Sequence, residues 1–73
     1  MKNLFEIRAI DNSDTSYYYV FAKNKKDAQK KFKAKIQWMQ IDDVAELTPY
    51  DADYIVCHRS KYNFIEDNVD ERT

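Results

Sequence analysis

The chain contains no glycine. Turns that need a positive φ therefore fall to Asn and Asp, the non-glycine residues that best tolerate it. Phosphate-cradling loops built on glycine, P-loops and dinucleotide fingerprints included, are excluded. Cys57 is the only cysteine, which rules out an intrachain disulfide. His58 is the only histidine, which rules out a Cys/His zinc cluster. No apolar run approaches the roughly 20 residues of a membrane span. The opening MKNLFEIRAI carries a charge every second or third residue, not the apolar stretch of a secretory signal. These absences predict a cytoplasmic protein with no membrane partner, a setting that suits an unpaired cysteine.

What is present is short. A chain of 73 residues makes one domain and buries only about 60% of its unfolded surface. Small domains compensate with disulfides, metals or association. With the first two excluded, a homodimer or a binding partner is expected. Charge is polarised along the chain. Residues 1–38 hold nine Lys/Arg and four Asp/Glu, whereas residues 39–73 hold three and nine, for a net charge of −1. Such a chain either neutralises itself on folding or offers two opposite faces to partners.

Residues 3–10, NLFEIRAI, alternate as a strand, with Phe5, Ile7 and Ala9 on one face. The polar run 11–16, DNSDTS, reads as a hairpin loop, and residues 17–23 as the returning strand. Asn24 reads as a helix cap, with Asp27 in the first turn. Residues 25–38 read as an amphipathic helix with Ala28, Phe32, Ile36 and Met39 on one face and lysines elsewhere. Residues 43–48 read as a third strand, broken by Pro49 and YDAD, and residues 54–59, YIVCHR, as a possible fourth. Tyr62, Phe64 and Ile65 alternate only in part, as an extended tail or a last short element. The charged run 66–73 reads as a frayed tail. The predicted fold is α+β, in the order ββαββ: a three- or four-stranded antiparallel sheet with one helix packed on one face, spanning residues 1–65. Phe5, Ile7, Ala9, Tyr18, Val20 and Ala22 form the inner face, sealed by Ala28, Phe32 and Ile36.

That arrangement leaves Tyr17, Tyr19, Phe21, Leu4 and Ile10 on the far face, a patch near the upper limit for a soluble monomer. Four covers compete: the chain's own Tyr54, Tyr62 and Phe64; a second copy in a symmetric dimer; another protein, since tyrosine is enriched at interface hot spots; or unpaired bases stacked on the rings. The last needs cations beside the rings, and the hairpin offers only Lys2, Arg8 and Lys23 at its edges.

Seven lysines between Lys23 and Lys35, with one acid among them, suit phosphate binding, notably at Lys26, Lys30 and Lys33. The plainer reading is a solvated helix face, and the stretch lacks the arginines that favour bidentate recognition. Cys57 and His58 would point to opposite faces of a strand and so make no nucleophile–base pair; Cys57 reads as a small buried apolar residue. Asp51 and Asp53 lack the other ligands of a calcium loop, and Asp42-Asp43 reads as the turn into the third strand. The acidic second half could imitate a phosphate backbone, but a net charge of −1 is far from strongly acidic. No nucleophile–base pair, metal set or cofactor loop emerges, so the chain is expected to be non-enzymatic and to need no cofactor.

At YYYVFAKNKKDAQKKFK, residues 17–33, a strand ending in Val-x-Ala leads through a polar cap into an acidic-Ala helix with a helical Phe. Over residues 3–36 the chain resembles small accessory proteins of phages and mobile elements, of the DpnD/PcfM type. It departs from that type in its lysine-dense helix and its Tyr17–Tyr19 run, and no functional residue carries over. The resemblance implies a protein that acts in a host cell by binding host enzymes, nucleases or nucleic acid. The expected function is thus an inhibitor or modulator of a host protein, docked through Tyr17, Tyr19, Phe21, Leu4 and Ile10. The alternative is nucleic-acid binding through Lys26, Lys30 and Lys33.

Overall fold

A computed structural model describes residues 3–65; the charged run 66–73 lies outside the described residues. The alternation of NLFEIRAID produces strand β1 (Asn3–Asp11), and β2 (Asp14–Ala22) returns antiparallel to it, pairing Phe5 with Val20 and Ile7 with Tyr18. The loop between them is Asn12-Ser13 alone. Asn12 takes φ 60, the left-handed conformation in which glycine is usual and asparagine is the best substitute. A two-residue turn lets β2 begin at Asp14, three residues before the sequence suggested.

Helix α1 (Lys25–Lys35) starts as expected. The Asn24 side chain accepts the Asp27 backbone N–H at 2.8 Å, and the Asp27 carboxylate accepts the Lys23 N–H at 3.1 Å. That hydrogen bond, helped by nearby Lys31, holds the Asp27 carboxyl below the usual carboxylate range. The helix ends three residues early because Ile36 turns extended and drops into the core.

Strand β3 (Gln40–Glu46) pairs antiparallel with β1, giving the sheet order β2-β1-β3. It starts three residues before the expected strand, so Asp42 and Asp43 lie within it rather than in a turn before it. The register slips between Arg8 and Ala9 opposite these acids.

The predicted fourth strand and the ββαββ order are not what forms. Residues 49–57 are helix α2 (Pro49–Cys57), followed by a short 3-10 turn, Arg59–Lys61. The signal is local. The Thr48 side chain accepts the Asp51 N–H at 3.2 Å, Pro49 has its φ preset for the first turn, and Asp51 suits the helix dipole. The proline that seemed to break a strand starts a helix.

The core lies between the sheet and α1. Phe5, Ile7, Ala9, Val20, Ala22, Ala28, Phe32, Ile36, Met39, Val44 and Ile65 form one buried cluster, with Tyr18 packed against it. Tyr18 meets Phe32 edge-on at 5.4 Å. The expected inner face is therefore correct, with Met39, Val44 and Ile65 added.

Candidate functional site: a sealed sheet face, a basic helix and a tyrosine cleft

The far face of the sheet is not left open. After the 3-10 turn the chain runs beside β2 and bridges it in parallel at Tyr19 and Phe64. The Tyr19 N–H donates to the Asn63 carbonyl at 2.8 Å, and the Ile65 N–H donates to the Tyr19 carbonyl at 2.7 Å. This closes part of the outer edge of β2 and lays two rings over the far face. Tyr62 meets Tyr19 edge-on at 5.3 Å, and Phe64 lies 6.0 Å from Tyr19 and 6.3 Å from Phe21. The Arg59 guanidinium caps the Phe64 ring at 4.5 Å. Helix α2 stands beside Leu4 and Phe21, with Pro49 and Ala52 lining a crevice of about 300 Å3 next to them.

The expected contact residues therefore separate. Leu4 is 1% exposed and Tyr19 is 6% exposed, so neither can meet a partner. Phe21 and Ile10 are half-buried, and Tyr17 alone remains open, at 43%. The sheet face read as a free docking surface is corrected on this point. The alternation at Tyr62, Phe64 and Ile65 was the one signal of the cover.

The lysines are placed differently. Lys26, Lys30 and Lys33 follow one another at i, i+4 and i+7, opposite buried Ala28 and Phe32, so they share the outward face of α1. With Lys23 they line a shallow depression of about 570 Å3 at the surface. Lys33 donates to the Met39 carbonyl at 2.7 Å, a contact that fixes the side chain without neutralising its charge. Asp27, the acid of this helix, is engaged by the Lys23 N–H and by Lys31. The acids of the second half stand elsewhere: Asp42, Asp43 and Glu46 on β3, and Asp51 and Asp53 on α2. Asp42 pairs with Arg8 at 2.6 Å. Tyr17 and then Asp42 favour the charged Arg8 guanidinium, raising its pKa further.

Between Tyr17 and the closing segment a cleft of about 470 Å3 remains, lined by Glu6, Tyr17, Tyr19, Lys61, Tyr62 and Asn63. The Tyr19 hydroxyl donates to Glu6 Oε2 at 2.8 Å. Burial first, and then the Glu6 carboxylate, push the Tyr19 phenol well above its usual range, so it stays a proton donor. The Asn63 amide donates to the Tyr17 carbonyl at 3.3 Å.

Cys57 is exposed at the end of α2, not buried as expected. His58 follows it and turns its Nδ1 towards the Tyr54 carbonyl at 2.9 Å, with its ring 4.3 Å from that of Tyr54. Among the described residues no three His, Cys, Asp or Glu side chains gather as a metal set, and no helix is long and apolar enough to cross a membrane. Compared with protein-family models, curated proteins and solved structures, the chain matches none.

Proposed function

We propose that the chain is a non-enzymatic module that binds nucleic acid through the outward face of α1. The observation that carries this reading is the segregation of charge. Lys23, Lys26, Lys30 and Lys33 border one surface on which Asp27 is the one acid of the lining, while the acids of β3 and α2 are carried by other elements. From Lys26 to Lys33 the helix rises about 10 Å, over which one DNA strand passes about three phosphates. The ammonium groups act as point charges on flexible stems, so the expected binding is backbone-directed and indifferent to sequence. Fluorescence anisotropy with a labelled duplex tests it. Lys26→Glu with Lys30→Glu should weaken binding by at least about tenfold at low salt. Unchanged affinity would remove α1 from the interface.

A second reading keeps the partner a protein, the host protein of the phage-type setting, and is favoured by α2. This helix buries none of its residues, and it exposes Tyr50 at 83% and Tyr54 at 54% on one stripe. Tyr50→Ser with Tyr54→Ser should abolish such an interaction and leave the anisotropy result untouched.

A further inference from the structure

The hairpin alone offers few cations beside the far-face rings for base stacking, and the fold changes that count. The 3-10 turn carries Lys61 to the rim of the cleft that Tyr17, Tyr19 and Tyr62 line, with the Glu6 carboxylate also in its wall. We infer that this cleft is a nucleotide site: a base lies against the Tyr17 and Tyr62 rings, Glu6 accepts hydrogen bonds from its edge, and Lys61 meets its phosphate.

Each part of the chemistry narrows the ligand. The cleft is open to solvent, and its volume of about 470 Å3 admits a base. Tyrosine faces stack any planar ring, which sets the class but not the member. The carboxylate sets the member. Among the described residues Glu6 accepts one hydrogen bond, from Tyr19, and a carboxylate offers about four lone-pair positions. Its remaining positions take donors, and a base edge that presents acceptors is repelled. Guanine offers two parallel donors on one edge, its ring N–H and its amino group. Cytosine and adenine offer an amino group beside an acceptor. Uracil offers one N–H between two carbonyls. A guanine nucleotide is therefore preferred. A simple cation, such as the arginine of a peptide, would satisfy Glu6 but would be opposed by Lys61. An uncharged aromatic ligand would make no use of the Lys61 charge.

The cleft opens on the far side of the sheet from α1, so this inference stands apart from the lysine reading and fails separately from it. The shared chemistry, a guanine base with its phosphate, arises either from a free nucleotide or from a single strand. Amide NMR shifts of the labelled protein are to be followed in titrations with guanosine monophosphate, uridine monophosphate, ribose 5-phosphate and a short oligothymidine carrying one guanine. Saturable shifts at Tyr17, Tyr62 and Asn63, about tenfold tighter for guanosine than for uridine monophosphate, are expected. Tyr17→Ala, at an exposed position, should weaken binding about tenfold. Glu6→Gln keeps an acceptor for Tyr19 and should remove the guanine preference while leaving weak stacking. Cleft shifts with the guanine oligomer but not the mononucleotide would support the same site with a strand as the source. The inference is overturned by cleft shifts that ribose 5-phosphate reproduces, by the absence of saturable cleft shifts with every ligand, by wild-type binding in Tyr17→Ala, or by shifts confined to the α1 lysines.

Discussion

Phe64→Ala tests whether the closing segment seals the sheet. The Phe64 ring lies 6.0 Å from Tyr19 and 6.3 Å from Phe21 and carries the Arg59 guanidinium on its outer face. A fully buried Phe→Ala change costs about 3–5 kcal/mol. Phe64 is half-buried, so about half of that, near 2 kcal/mol, is expected. The hydrogen bonds of the parallel bridge are made to Tyr19 by the Asn63 carbonyl and the Ile65 N–H, which the substitution leaves in place, so the loss measures the ring alone. A chain of 73 residues is expected to be stable by about 4–11 kcal/mol, so the change removes a large fraction of it. Urea unfolding followed by circular dichroism reads this as a fall in midpoint of about 1–2 M at an unchanged slope. Tyr50→Ala, at a ring 83% exposed, serves as the control and should cost less than about 0.5 kcal/mol. A loss for Phe64→Ala no larger than that of the control would mean that the closing segment leaves this part of the far face open, and the docking surface would return to Tyr19 and Phe21.

Acid unfolding should report Asp27. Its folded-state pKa is lowered, so the stability it contributes is present above the ordinary carboxylate range and is lost as pH falls through the lowered value; Asp27→Asn should flatten that part of the acid limb, and an unaltered limb would remove the Lys23 hydrogen bond as its cause. Cys57 should react with an aromatic disulfide reagent in the folded protein about as fast as after unfolding, because it is exposed; protection in the folded state would instead place α2 beneath a cover.

The parts of the fold legible in the sequence are those in which one local signal dominates. The alternation of Phe5, Ile7 and Ala9 fixes the inner face of β1, and Asn24 with Asp27 fixes the start of α1. Helix α2 is not legible in the sequence because Tyr54, Ile55 and Val56 have strand-forming side chains, while the deciding contact is the single Thr48 hydroxyl that accepts the Asp51 N–H. The hairpin loop is shorter than its composition suggests, because all six residues of 11–16 are turn formers although Asn12 alone supplies the positive φ. The candidate sites divide in the same way. Lysines spaced on a helix remain on the surface wherever that helix packs, so Lys26, Lys30 and Lys33 could be read directly. Burial of Leu4 and Tyr19 depends on contacts with residues more than 40 positions away, such as Leu47 N–H with the Leu4 carbonyl and Asn63 with Tyr19. The tyrosine cleft depends on the same long-range closure, which brings Lys61 and Tyr62 to Glu6 and Tyr17.

The most direct test of the lysine face is the salt dependence of binding to a DNA duplex. Four phosphate contacts, one each from Lys23, Lys26, Lys30 and Lys33, give a log–log slope of about −3.6, so affinity should fall about 150-fold between 50 and 200 mM salt. Replacing Lys26 and Lys30 with glutamine should halve the slope to about −1.8 and reduce that fall to about 12-fold. A slope shallower than about −1 in the unaltered protein, or one that the double replacement leaves unchanged, would contradict nucleic-acid docking on α1.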